Sequence, residues 1–130
     1  MLSPSRIITS YLGNPLVRDP RPGVLRAGIC QKPAWYAGRQ DIRIGVLVPT
    51  AAEREAWERG DEGVYRRGLP RTYLMPGRGT IILLCWEGDP VSGGKHGHGC
   101  HRRAAFEVMA GRAWTWDDEL HSRYGGTAEV

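Results

Sequence analysis

Gly79-Thr-Ile-Ile-Leu-Leu-Cys85-Trp-Glu87-Gly-Asp-Pro90, a glycine- and histidine-rich loop over 91–99, and Cys100-His-Arg-Arg-Ala-Ala-Phe-Glu-Val-Met-Ala-Gly111 read as strand, loop and helix. The apolar run inside Thr80–Glu87 has no alternation, as expected of a central strand covered on both faces. The helix should open near Gly99 or Cys100 and run to about Ala110, because Ala104, Ala105, Val108 and Met109 recur at helical spacing. Gly111 is placed to stop it as a left-handed cap. Two of the three cysteines, three of the four histidines and the adjacent pair Arg102 and Arg103 fall within this stretch.

Working outward, Arg6–Leu12, Val24–Cys30 and Asp41–Val48 are rich in β-branched residues and read as three further strands. Thr50 and Glu53 form a capping box for a helix over Ala51–Arg59, whose buried face is confined to Ala52, Ala56 and Trp57. A second short helix is expected from Asp61 through Tyr65 to Arg67. Ala113–Leu120 suggests a short docked element capped by Thr115, and the tail from Gly125 should fray. The expectation is one α/β domain over 1–130 with its core at about 6–112: a small sheet of three to four strands, largely parallel, with flanking helices.

A chain of 130 residues can fill a single core without disulfides or metal. Its longest apolar run, Ile81–Trp86, is too short to span a bilayer, and the N-terminus has no signal-peptide pattern. Three cysteines at irregular spacing fit reduced thiols in a cytoplasmic protein better than a disulfide framework. The net charge of +4 favours anionic partners only mildly, although all but two of the eighteen basic residues are arginine.

The chemistry concentrates after the central strand. Cys100, at an expected helix N-terminus beside His101, Arg102 and Arg103, has the surroundings that lower a thiol's pKa and make a thiolate nucleophile. Glu87, at the strand end, is the candidate acid/base. Lys95, Arg102 and Arg103, with the backbone amides of the glycine-rich loop, are candidate anion binders. The loop is not a phosphate-binding Walker sequence, because Lys95 is one place late and His96 follows it. Neighbours on a helix point about 100° apart, so His101 is not obliged to serve Cys100, although it belongs to the candidate catalytic set. Cys85 and Cys30 read as buried, inert thiols. Zinc is a minor alternative, with His96, His98, Cys100 and His101 as candidate ligands and Cys85 able to come near from the strand end (His96, His98 and Cys100 being the set favoured), but no recognised zinc spacing is present. Trp35 and Tyr36, beside Lys32 and Arg39, could stack on a base.

The sequence Leu-Leu-Cys-Trp-Glu-Gly-Asp-Pro followed by Cys-His-Arg-Arg resembles the domain-of-unknown-function family 488 (DUF 488). Ile29-Cys30-Gln31-Lys32-Pro33-Ala34-Trp35, Leu47-Val48-Pro49 and Tyr65 sit in a matching order, so the resemblance covers roughly residues 6–110. It implies an α/β fold and no assigned activity. The loop between Pro90 and Cys100 is longer and richer in histidine than is typical of that family.

Two functions follow as expectations. The first is a small enzyme acting on a nucleotide, nucleic acid or other phosphorylated ligand through a Cys/Arg/Glu site within 80–110. The alternative is a non-catalytic nucleic-acid-binding module using the basic loop with Trp35 and Tyr36, with zinc as a possible stabiliser. A purely structural or protein-interaction role is a third.

Overall fold

The structure, a computed structural model, describes residues 6–30, 38–71, 79–94 and 96–120. It is an α/β fold with four parallel strands: β1 (Arg6–Tyr11), β2 (Val24–Gly28), β3 (Ile42–Arg43) and β4 (Thr80–Cys85). The strand order is β1-β4-β2-β3, so the last strand in sequence lies between the first two. This position explains the unbroken apolar run of β4: Ile81 to Cys85 are all buried, and both backbone edges are paired.

Three helices accompany the sheet: α1 (Ala51–Glu58), α2 (Gly63–Gly68) and α3 (Arg102–Ala110). Helix α3 packs on β1 and β4, with Ala105 and Phe106 in the main core. Helices α1 and α2 pack on each other, and Trp57, Tyr65 and Ala104 form a second, smaller cluster. The Thr50–Glu53 capping box is present, and Gly111 ends α3 at φ 72°. Ala52, expected on the buried face of α1, is exposed, leaving Ala56 and Trp57 to make the contact.

Most boundaries fall within two residues of expectation; the third strand does not. Only Ile42–Arg43 of Asp41–Val48 are extended, and Gly45–Leu47 form a 3-10 turn. The reason is a missing partner. Gly28, the last residue of β2, pairs with Arg43, and its carbonyl accepts the Ile44 amide at 3.0 Å. Beyond that point no ladder remains for the β-branched residues to join. The tail from Gly125, and also Trp35, Tyr36 and Lys95, lie outside the described residues.

The segment 113–120 docks along β1, as expected. The Leu120 amide donates to the Thr9 carbonyl at 2.8 Å, Ser10 Oγ to the Leu120 carbonyl at 3.0 Å, and Trp114 Nε1 to Thr9 Oγ1 at 2.8 Å. Asp118 accepts from the Thr115 amide at 2.9 Å and pairs with Arg112 at 2.6 Å. The hydrogen bond from Arg112 holds the Asp118 carboxyl below its ordinary value, and Arg26 does the same for Asp41. Both pairs therefore stabilise the fold above the unfolded carboxylate pKa, about 3.9, and lose that contribution as pH falls through the lower folded values. Urea unfolding at a series of pH values should show stability dropping below about pH 4. Asp118→Asn should flatten part of that drop; an unchanged profile would contradict the assignment.

Candidate functional site

The carboxyl edge of a parallel sheet is where α/β proteins place their ligands, and Cys85 is the last residue of β4. A cavity of about 60 Å3 opens there, lined by Cys85, Glu87 and His101 at its reactive end and by Trp57, Tyr65 and Trp86 along its walls. Cys85 is only 1% exposed, so its thiol is reached through this cavity. Its Sγ lies 3.6 Å from Glu87 Oε2 and 3.5 Å from His101 Nδ1.

His101 is held from behind. Its Nε2 lies 2.6 Å from the Ile29 carbonyl, which can only accept and so is met by an Nε2 proton. Nδ1 and Nε2 lie 3.5 and 3.6 Å from Cys85 Sγ, so the thiol stands against the imidazole without selecting one nitrogen. Tyr65 packs edge-on against the imidazole, with ring centroids 5.1 Å apart, and its hydroxyl donates to the Leu47 carbonyl. Trp57 in turn packs edge-on against Tyr65 at 5.8 Å, and its Nε1 donates to the Gly99 carbonyl at 3.1 Å. Helices α1 and α2 thus supply the wall that fixes both the imidazole and the loop over 87–99.

Cys100 was expected to open the last helix and face a substrate. The helix instead begins two residues later, with His101 as its cap residue. The Cys100 thiol is 1% exposed, does not line the cavity, and accepts the Arg102 amide at 3.5 Å. The two sulfurs and an imidazole nitrogen all lie within 4.8 Å of one another. Burial alone would push both thiols up. For Cys100 that effect is outweighed by the hydrogen bond from Cys85 and the charges of Arg102 and His101, which hold it well below its ordinary value. For Cys85, burial and its interactions with Cys100 push it well above. The two neighbouring thiols are thus pushed in opposite directions, Cys100 down and Cys85 up. Burial would lower the imidazole of His101, but Cys100 and the Ile29 carbonyl raise it overall. Glu87 is pushed up to about 7, by burial first and then by the Cys100 charge. Cys30 also lines the cavity, but burial pushes its thiol up to about 11.

The two arginines are corrections to the expected anion site. Arg102 is fully buried, and its guanidinium is spent within the protein. It donates to both Glu119 oxygens at 3.1 and 2.6 Å and to the carbonyls of Glu87 and Gly88. Arg103 donates to the carbonyls of Pro90 (2.7 Å) and His98 (3.4 Å), pairs with Glu62 at 3.6 Å and lies over the Trp57 ring. Both tie the loop to α3 rather than offering a fork to a ligand. Asp89 is likewise structural, accepting from the amides of Val91 and Ser92.

Of the residues weighed as zinc ligands, Cys85, Cys100 and His101 gather, whereas His96 and His98 do not. Among the described residues the single group of three or more metal-ligand side chains is Cys85, Cys100 and His101; His96 and His98 line the cavity but do not join it. These N and S donors suit a soft or borderline divalent ion such as zinc, which would take up both thiols and leave none to react. Sequence reading had treated Cys85 as inert and passed over Tyr65 as a site residue. The available signal was Cys85-x-Glu87 at the carboxyl end of the central parallel strand.

No helix among the described residues is long and apolar enough to cross a membrane. No protein-family model, curated protein or solved structure matches the chain.

Proposed function

We propose that this protein is a small thiol-dependent enzyme in which Cys85 is the reacting group, Glu87 its proton acceptor, and His101 and Cys100 the groups that set the local charge. The observation that carries this reading is the Cys85 thiol at the end of the cavity, between a carboxylate at 3.6 Å and an imidazole at 3.5 Å. A nucleophile flanked by a base that is itself oriented is the general arrangement of covalent catalysis. Here Glu87 would take the thiol proton as the sulfur attacks an electrophilic carbon. The bond to the leaving group would then break with its electron pair, and the leaving group would receive that proton. Water would later displace the sulfur, with Glu87 now acting as base.

Cys85, Glu87 and His101, which are among the residues that carry the resemblance to DUF 488, line this one cavity, which supports reading them together. A nucleotide or other phosphorylated substrate draws no support from Arg102 and Arg103, whose donors are occupied.

Neutral iodoacetamide offered to the native protein, with the modified peptides mapped by mass spectrometry, should label Cys85 first. The rate should rise as pH increases through about 7, because Glu87 accepts a proton only when ionised. Glu87→Gln should remove that step while leaving the protein folded. Failure to label Cys85 in the folded chain, or one equivalent of metal retained by the purified protein on both thiols, would overturn the proposal.

A further inference from the structure

The cavity's walls say more about what can enter than its reactive end does. Among the described residues three carboxylates line it, Glu53, Glu58 and Glu87, against one arginine, Arg54, and three histidines, of which His101 is set against Cys100. That arginine leans toward Glu58, 4.0 Å away, on the same helix. The two guanidiniums best placed by sequence to receive an anion are occupied elsewhere, Arg102 on Glu119 and Arg103 on backbone carbonyls and Glu62. Among the described residues, an incoming phosphate or carboxylate would therefore meet like charges without a free bidentate donor.

The aromatic residues point the same way. Trp57 Nε1 and the Tyr65 hydroxyl are both committed to backbone carbonyls, at Gly99 and Leu47. What these two buried residues add to the lining is ring rather than polar atoms, with the Arg103 guanidinium already over the Trp57 ring, and Trp86, 47% exposed, adds a third ring at the rim. Ring surfaces backed by carboxylates attract an organic cation and give an anion nothing. From these contacts we infer that the site takes a small positively charged substrate, an amine or a quaternary ammonium head group, and excludes phosphates and carboxylates. The inference rests on the thiol-enzyme reading for its reaction centre, but the charge preference belongs to the walls.

Three methanethiosulfonates separate the two. Each forms a mixed disulfide with a thiolate and releases methanesulfinate, and they differ in carrying a trimethylammonium, no charge, or a sulfonate. Rates at Cys85 in the full chain are divided by rates with 2-mercaptoethanol. The cation-to-anion ratio should exceed that of the free thiol by about tenfold or more, as expected where charged low-dielectric walls concentrate a counter-ion. Raising the salt concentration, or Glu58→Gln, should reduce the ratio. A ratio equal to or below that of the free thiol overturns the inference while leaving Cys85 a reactive group. If no reagent modifies Cys85, the catalytic reading fails, and the charge preference is read instead from the Trp57 indole N–H signal in two-dimensional NMR, assigned with Trp57→Phe. A shift with tetramethylammonium and none with inorganic phosphate supports the inference; the reverse, or no shift with either, overturns it.

Discussion

Arg102→Met is expected to cost about 3–5 kcal/mol of folding stability, the scale for breaking a buried ion pair from one side. Glu119 is 1% exposed, and in the variant its carboxylate would keep only the Thr9 hydroxyl at 2.6 Å. The carbonyls of Glu87 and Gly88 would lose their donor at the same time. Domains of this size typically have a total stability of about 5–15 kcal/mol, so the variant would be partly unfolded or close to it. Urea denaturation measures the loss directly. The informative control is Arg102→Met combined with Glu119→Leu, which removes both charges and should recover much of the stability because no charge is left buried and unpaired. A single variant within about 1 kcal/mol of the parent would show that the pair is not structural. The result bears on function, because inactivity in an Arg102 variant would otherwise be mistaken for loss of a substrate-binding group.

Gly99→Ala should be the most damaging single-methyl change in the site. Gly99 has φ +78°, a left-handed conformation costing an L-residue about 1–2 kcal/mol. An added Cβ would also run into the backbone carbonyls of Pro90 and Val91, neither of which can move as a flexible side-chain end could. Relieving the clash must disturb what this turn holds. The Gly99 amide donates to the Gly93 carbonyl at 2.8 Å, the Cys100 amide to Pro90 at 2.9 Å, and Trp57 Nε1 to the Gly99 carbonyl. The expected outcome is a loss of at least about 2 kcal/mol in urea unfolding. The methanethiosulfonate reaction at Cys85 should lose its charge preference as well, since the loop closes one side of the cavity. Retained stability together with an unchanged preference would contradict this account of the loop.

The two variants separate what holds the site from what reacts in it. Arg102 and Gly99 fix the loop against α3 and the helical wall, whereas Glu87 changes the chemistry without being needed for either contact. The triplet Cys100-His101-Arg102 therefore divides by contacts. Cys100 is buried outside the cavity lining with its thiol held low, His101 stands against the Cys85 thiol, and Arg102 pairs with a buried carboxylate seventeen residues away.

Much of the fold was legible because its signals are local. The unbroken apolar run of β4 announced a strand with neighbours on both sides, and the Thr50–Glu53 box and Gly111 marked helix ends through hydrogen bonds and dihedrals that span only a few residues. Asp41–Val48 misled for a complementary reason: β-branched composition reports a preference for extended backbone, but a strand also needs a partner, and β2 ends at Gly28. The sequence by itself determined that a strand, a loop and a helix would bring cysteine, glutamate and histidine to one edge of an α/β sheet. Only the tertiary structure decided that Cys85 rather than Cys100 faces the cavity, that Arg102 belongs to Glu119, and that carboxylates and rings form the walls. Those outcomes depend on contacts between distant segments, and the pull of burial and charge on a side chain is set by whichever segment finally packs against it.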